Sequence, residues 1–211
     1  MLNYSPQEAA EHLARADKKL AKVIAKSPPF ALSDERLTSP FEALSRAIVY
    51  QQLSGKAAAT IFGRVKGLFP GKKKLDPALL LAAEVETLRS AGLSGNKTAA
   101  LKDLAAKTLD GTVPTLAALK KMEDAEIIER LVSVRGIGVW TVEMLLIFRL
   151  GRPDVLPVSD LGVRKGFMLT YGLGEMPTAA EMLVKGERWR PFRSVASWYM
   201  WRATELLKVT K

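Results

Sequence analysis

Few residues of this chain could do chemistry, and they cluster. In "VRGIGVWTVEMLLIFRLGRPDVLPVSDLGVRKGF", Val134 to Phe167, Gly136 and Gly138 stand one residue apart where a helix is predicted to begin. Asp160 follows an extended Leu-Pro-Val-Ser. Glycine permits positive φ and leaves no side chain between backbone and ligand. The helix that follows points its first N–H groups, and the positive end of its dipole, outward, which suits a phosphate oxygen. A helix–Gly-Ile-Gly–helix unit can therefore grip a nucleic-acid backbone without reading sequence. A Gly-x-Gly alone fits a tight ligand-free αα-turn at least as well. Asp160, judged from its neighbours only, is a helix N-cap, a position aspartate favours.

Composition narrows the chemistry. The 211 residues contain no cysteine and one histidine, His12. Disulfides, thiolate metal sites, iron–sulfur clusters and a cysteine nucleophile are excluded. A serine–histidine triad or a multi-histidine metal site is disfavoured, and no metal ligand set is expected. His12 is expected at the surface or its boundary. The formal net charge is +10, an excess that attracts polyanions, nucleic acid before anionic membrane. The chain starts without a secretion signal, and no apolar run approaches the roughly 18 residues of a membrane span. A soluble protein of the cytoplasm is expected, lying with the nucleoid in a bacterium or in the nucleus of a eukaryote.

The elements that must position these residues are helical. Ser5-Pro6-Gln7-Glu8 and Ser39-Pro40-Phe41-Glu42 have the pattern of capping boxes with proline in the first turn. The first predicts one helix running to Pro28-Pro29, and the second a helix to about Tyr50. Ser54 can cap the next. Lys72-Lys73-Lys74 reads as a solvated loop. Further helices are expected from Asp76, Glu84, Ser94, Pro114, Glu123, Gly138, Asp160, Thr178 and Pro191, the last running to Lys208. Period-2 alternation is absent. The pattern predicts an all-α fold of two helical lobes with the active-site cleft between them. Lobe one spans about 1–40 plus 160–211 and lobe two about 41–159, in one domain over 1–211. "LRSAGLSGNKTAAL" (88–101) weakly echoes "LVSVRGIGVWTVEM" (131–144).

The larger pattern resembles a known family. "LVSVRGIGVWTVEMLLIFRL" followed by "DVLPVSDLGVRKGF" is similar to the helix–hairpin–helix DNA glycosylase superfamily. Trp140, the absence of cysteine, "WRPFRSVASWYMWRATELL", "SRAIVYQQLSGKAAATIF" and "LRSAGLSGNKTAALKDLA" resemble its alkylation-repair branch, 3-methyladenine DNA glycosylase II. The likeness runs from about residue 5 to 208 and fits the compact members that lack an extra N-terminal β-domain.

This resemblance implies roles. Asp160 matches the essential catalytic carboxylate, a fixed anion that stabilises the oxocarbenium-like sugar as the N-glycosidic bond breaks. Trp140 stands where bifunctional relatives carry a nucleophilic lysine, so a monofunctional hydrolase without lyase activity is expected. Trp140 and Trp201 match aromatic pocket positions, and Met144 stands where some relatives carry tyrosine. Trp189 and Trp198 are expected in the core. Gln52 aligns with the wedge that fills the stack when a nucleotide is flipped out. Leu53 is the second candidate wedge, and without the resemblance it reads as core. Ser54 is placed near the minor groove. Lys165, Arg164 and Arg193 are candidate phosphate contacts, with Arg193 equally suited to holding the surroundings of Asp160. Lys97 reads as surface or phosphate-contacting. Ser159 replaces a second acid that some relatives carry beside the catalytic one.

The implied partner is double-stranded DNA containing alkylated bases, chiefly 3-methyladenine and 7-methylguanine, met by a monomer without a membrane. Hypoxanthine and ethenoadenine are further substrates to consider. No cofactor is expected, apart from a candidate monovalent cation on the carbonyls of the 135–138 hairpin. Two readings compete: a non-catalytic helix–hairpin–helix DNA-binding module, and a glycosylase/lyase for oxidised bases, which would need an amine where Trp140 stands.

Overall fold

A computed structural model describes residues 2–32, 37–71 and 74–207. Lys72 and Lys73 of the expected lysine loop, and Lys208, lie outside the described residues. In chain order the helices are α1 (Pro6–Ala16), α2 (Lys18–Ile24), α3 (Pro40–Tyr50), α4 (Gly55–Gly67), α5 (Pro77–Ala82), α6 (Val85–Ser90) and α7 (Gly95–Leu109). Then come α8 (Leu116–Leu119), α9 (Asp124–Val132), α10 (Val139–Phe148), α11 (Leu161–Tyr171), α12 (Ala179–Gly186), a 3₁₀ turn (Glu187–Trp189) and α13 (Arg193–Leu206). No strand occurs among the described residues, so the fold is all-α.

Local chemistry accounts for most helix starts. The side chains of Ser5, Ser39, Ser54 and Ser94 each accept a hydrogen bond from the backbone N–H three residues on. Thr178 and Glu181 complete a full capping box. At Ser39 the glutamate turns elsewhere: Glu42 pairs with Lys66 at 2.8 Å.

The first predicted helix is broken in two. Asp17 adopts extended angles, φ −145° and ψ 104°, and caps α2 through bonds from the N–H groups of Lys19 (3.0 Å) and Leu20 (3.1 Å). An aspartate inside a helical pattern competes for backbone donors in this way. Asp17 is buried, and its other oxygen accepts from the Tyr171 hydroxyl and from the Trp189 indole (3.3 Å).

The described residues form two compact units, one drawing on 2–32 and 143–207, the other on 37–142. In the first, α11 packs along α13, and both pack on α2. Its core includes Leu13, Leu20, Phe167, Trp189, Tyr199 and Met200. Trp198 is half-buried, edge-on to Phe30 and Tyr199. His12 is half-buried against the edge of Phe192. In the second unit α7 is central, contacting α3, α5 and α6.

The α11–α13 contact depends on glycine. A Cβ at Gly166 would sit 1.9 Å from the carbonyl oxygen of Met200, a backbone atom that cannot swing aside. Gly166→Ala is expected to lower the unfolding free energy by about 3 kcal/mol or to prevent folding, measured by denaturant titration.

Burial opposes ionisation of Asp17, but the bonds from Tyr171, Leu20, Trp189 and Lys19 outweigh it and hold its carboxyl below the usual carboxylate range. A depressed carboxyl contributes stability above its unfolded pKa and loses it as pH falls through the folded value. The melting-temperature gap between the wild type and Asp17→Asn should therefore be wide at pH 6 and narrow as the pH drops below about 4.

Candidate active site

Asp160 is the N-cap of α11, and its Oδ1 accepts from the Val163 N–H at 2.7 Å. The same oxygen accepts from the Trp201 indole Nε1 at 2.8 Å. The carboxylate is thus fixed by a local cap and by a residue forty-one positions away on α13. Only 8% of Asp160 is exposed. Trp201 reaches it because Gly162 leaves room, a Cβ there lying 2.7 Å from the indole Cδ1. Phe148, at the end of α10, packs on Trp201: the ring centroids are 5.3 Å apart and the rings are tilted by 31°. Met144 is half-buried one turn earlier on α10.

Glu143 is the acid that sequence reasoning missed. It is the single charged residue of "VWTVEMLLIF", an apolar helix, which was the available signal. It is 8% exposed, and its Oε2 is buried without a hydrogen-bond partner among the described residues. Burial, and then the negative charge of Asp160, push its carboxyl up to about 7.

The segment leading to Asp160 is tied down by α13. Arg193 donates from Nε to Asp154 Oδ1 (2.7 Å) and from a terminal nitrogen to the Asp154 carbonyl (2.9 Å). Ser194 accepts from the Val155 N–H (2.9 Å) and donates to the Arg152 carbonyl (2.6 Å). Of the two roles open to Arg193, the geometry is that of a clamp on this segment. Arg164 donates to the Pro177 carbonyl (3.0 Å), whereas Lys165 is exposed.

In the unit containing 37–142, the loop between α3 and α4 carries the wedge candidates. Gln52 is exposed and has φ +56°, unusual for a residue with a side chain. Leu53 is 39% exposed rather than a core residue, and Ser54 caps α4. Lys97 is neither a plain surface residue nor turned outward toward phosphate. Its Nζ donates to the carbonyls of Val49 and Gln51, both at 2.8 Å, and burial lowers its pKa. This ammonium closes the end of α3 just before the α3–α4 loop.

The α9–α10 hairpin is anchored by buried Val134 and Ile137, leaving Gly136 and Gly138 exposed. Three further ties hold it. Gln51 Nε2 donates to the Gly136 carbonyl (2.8 Å), Asp103 accepts from the Arg135 N–H (2.7 Å), and Lys107 donates to the Ser133 carbonyl. Gly136 has φ +78°, so the turn itself demands glycine. Gly138 has no positive φ, and a Cβ there would meet nothing within 4 Å. The fold does not require glycine at 138. The carbonyls of Val134, Gly136 and Gly138 each accept a bond within the protein, and among the described residues no group of three acidic or histidine side chains could hold a metal. Trp140, on the first turn of α10, is 47% exposed. The echo segment is also helix–loop–helix with a positive-φ glycine, Gly92, one position out of register with Gly136.

Residues 45–191 match the HhH-GPD superfamily of base excision DNA repair proteins, and the chain belongs to that superfamily. Among its relatives, DNA-3-methyladenine glycosylase 1 of Schizosaccharomyces pombe is 37% identical over 207 residues, covering 97% of this chain and 90% of the relative. The solved structure of the S. pombe 3-methyladenine DNA glycosylase in complex with abasic DNA superimposes with a TM-score of 0.81 over 97% of this chain and 100% of that one. A DNA-3-methyladenine glycosidase from Bacillus halodurans gives 0.84 at 34% identity, covering 96% and 91%.

Because the Glu143 carboxyl is raised on folding, the folded state loses stability as pH climbs from the unfolded carboxylate value toward about 7. Glu143→Gln removes that loss. The variant's melting temperature should exceed the wild type's at pH 8, with a smaller difference or none at pH 5.

Proposed function

We propose that this chain is a DNA glycosylase of base-excision repair that flips alkylated purines, chiefly 3-methyladenine and 7-methylguanine, out of duplex DNA and hydrolyses their N-glycosidic bond. The observation that carries the reading is the Asp160 carboxylate, buried and fixed on the Trp201 indole. Breaking the bond develops positive charge on the deoxyribose, and a preorganised anion stabilises that charge without having to reorganise. Alkylated purines of this kind are cationic and leave readily, so one carboxylate suffices for them. Asp160 also aligns the attacking water and draws its proton.

Trp140, Met144 and Trp201 are the residues proposed to meet the flipped base. An indole face attracts a cationic base by about 0.5–2 kcal/mol. Gln52, with Leu53 beside it, is proposed to fill the gap in the stack, its positive φ presenting it at the tip of a loop held by Lys97. Ser54, Lys165 and the hairpin are proposed to hold DNA. The glycine at 138, which the turn does not need, is accounted for by a phosphate approaching the backbone closely. An indole at 140 cannot form a Schiff base, so the reaction ends at an abasic site with the strand intact. Such an enzyme works where the genome is, in the nucleoid or the nucleus.

Purified protein incubated with methylated DNA should release free 3-methyladenine and 7-methylguanine, separated by chromatography. Asp160→Asn should release them at least about a hundredfold more slowly. Full release by Asp160→Asn would sink the catalytic assignment. No release by either protein would favour the DNA-binding module, and nicking without added alkali would contradict the monofunctional reading.

A further inference from the structure

We propose that Glu143 is a second catalytic residue of the same site, an acid that protonates uncharged damaged purines as they leave, so that the enzyme acts on neutral as well as cationic lesions. The inference rests on the glycosylase reading of Asp160. Three observations carry it. Glu143 lies on α10 between Trp140 and Met144, two of the residues proposed to meet the base. It is more than nine-tenths buried, with Oε2 unpartnered among the described residues, and a buried polar atom left so is one mark of a catalytic group. It stands near enough to Asp160 to feel that charge, while Asp160 Oδ1 is engaged by Trp201 and Val163.

Burial and the neighbouring anion keep a proton on Glu143 near neutral pH. Glu143 then stands as the acid beside the negative charge of Asp160. A cationic purine departs as a neutral molecule once the C1′–N9 electron pair moves onto it. A neutral purine would depart as an anion unless it gains a proton. In the proposed step the C1′–N9 bond breaks, its electron pair passes to the purine, and the Glu143 proton goes to a purine ring nitrogen. Water then adds its hydroxyl to C1′, and the proton that Asp160 draws from it passes on to restore the Glu143 acid. The sum is base-DNA plus water giving an abasic sugar plus the free base, with no cofactor consumed.

The test compares single-turnover release of hypoxanthine and of 7-methylguanine from duplex DNA by the wild type, Glu143→Gln and Glu143→Asp. The wild type should release both. Glu143→Gln should lose hypoxanthine release by at least tenfold more than it loses 7-methylguanine release, and Glu143→Asp, which keeps the acid but retracts it, should fall between. A merely structural role would slow both bases alike, and that result overturns the proposal. So does a wild type that releases 7-methylguanine but no hypoxanthine. A wild type that releases neither overturns the glycosylase reading itself. Should Glu143→Gln fail to fold, Glu143→Asp carries the same comparison.

Discussion

A carboxylate taken out of water must be given hydrogen bonds where it is put, and Asp160 receives them from two different levels of structure. The Val163 N–H belongs to its own helix and comes with the N-cap. The Trp201 indole belongs to α13 and arrives only when α11 and α13 lie side by side. That contact is close because α11 carries glycine at 162 and 166, facing the indole and the Met200 carbonyl respectively. This close pair of helices is thus also the pair that orients the acid. Arg193 and Ser194, at the start of α13, extend the same arrangement to the extended segment before Asp160.

The unit containing 37–142 solves a different problem, the presentation of backbone. The hairpin has little charge of its own to display. It is made rigid from behind, by Val134 and Ile137 in the core and by Gln51, Asp103 and Lys107 on its polar groups. Lys97 turns its charge inward, onto two carbonyls ahead of the α3–α4 loop. Bonds to a charged donor are stronger than neutral ones, which suits a loop that must hold Gln52 at positive φ. On the proposed reading the fixed loops and the net charge of +10 divide the work of binding: charge attracts the polyanion over distance, and the backbone sets where it docks.

Glu143 is costly to keep. Its burial beside another acid works against the folded state, and its Oε2 has no hydrogen-bond partner among the described residues to offset that. Residues that lower stability without an evident compensation are concentrated at functional sites, where the strain is part of the chemistry. Ser159 and Glu143 belong to one account in this respect. Beside Asp160 in sequence stands a serine, while the fold brings the Glu143 carboxyl within reach of its charge.

Features set by short-range bonding can be read directly from the amino-acid string. Serine and threonine caps, the Gly136 turn and Asp160 as the cap of α11 involve partners three or four residues apart, so their spacing is visible in the string. The family likeness was legible for the same reason, being carried by contiguous segments in a fixed order. Asp17 was not, because the break it makes is stabilised by Tyr171 and Trp189, more than 150 positions away. The inward turn of Lys97, the clamp of Arg193 on Asp154 and the indole on Asp160 were likewise decided by tertiary structure. Glu143 shows the reason most directly. Whether an acid on an apolar helix is solvated or stripped of water, and whether another carboxylate stands beside it, depends on which distant segments fold over it, and no local spacing encodes that.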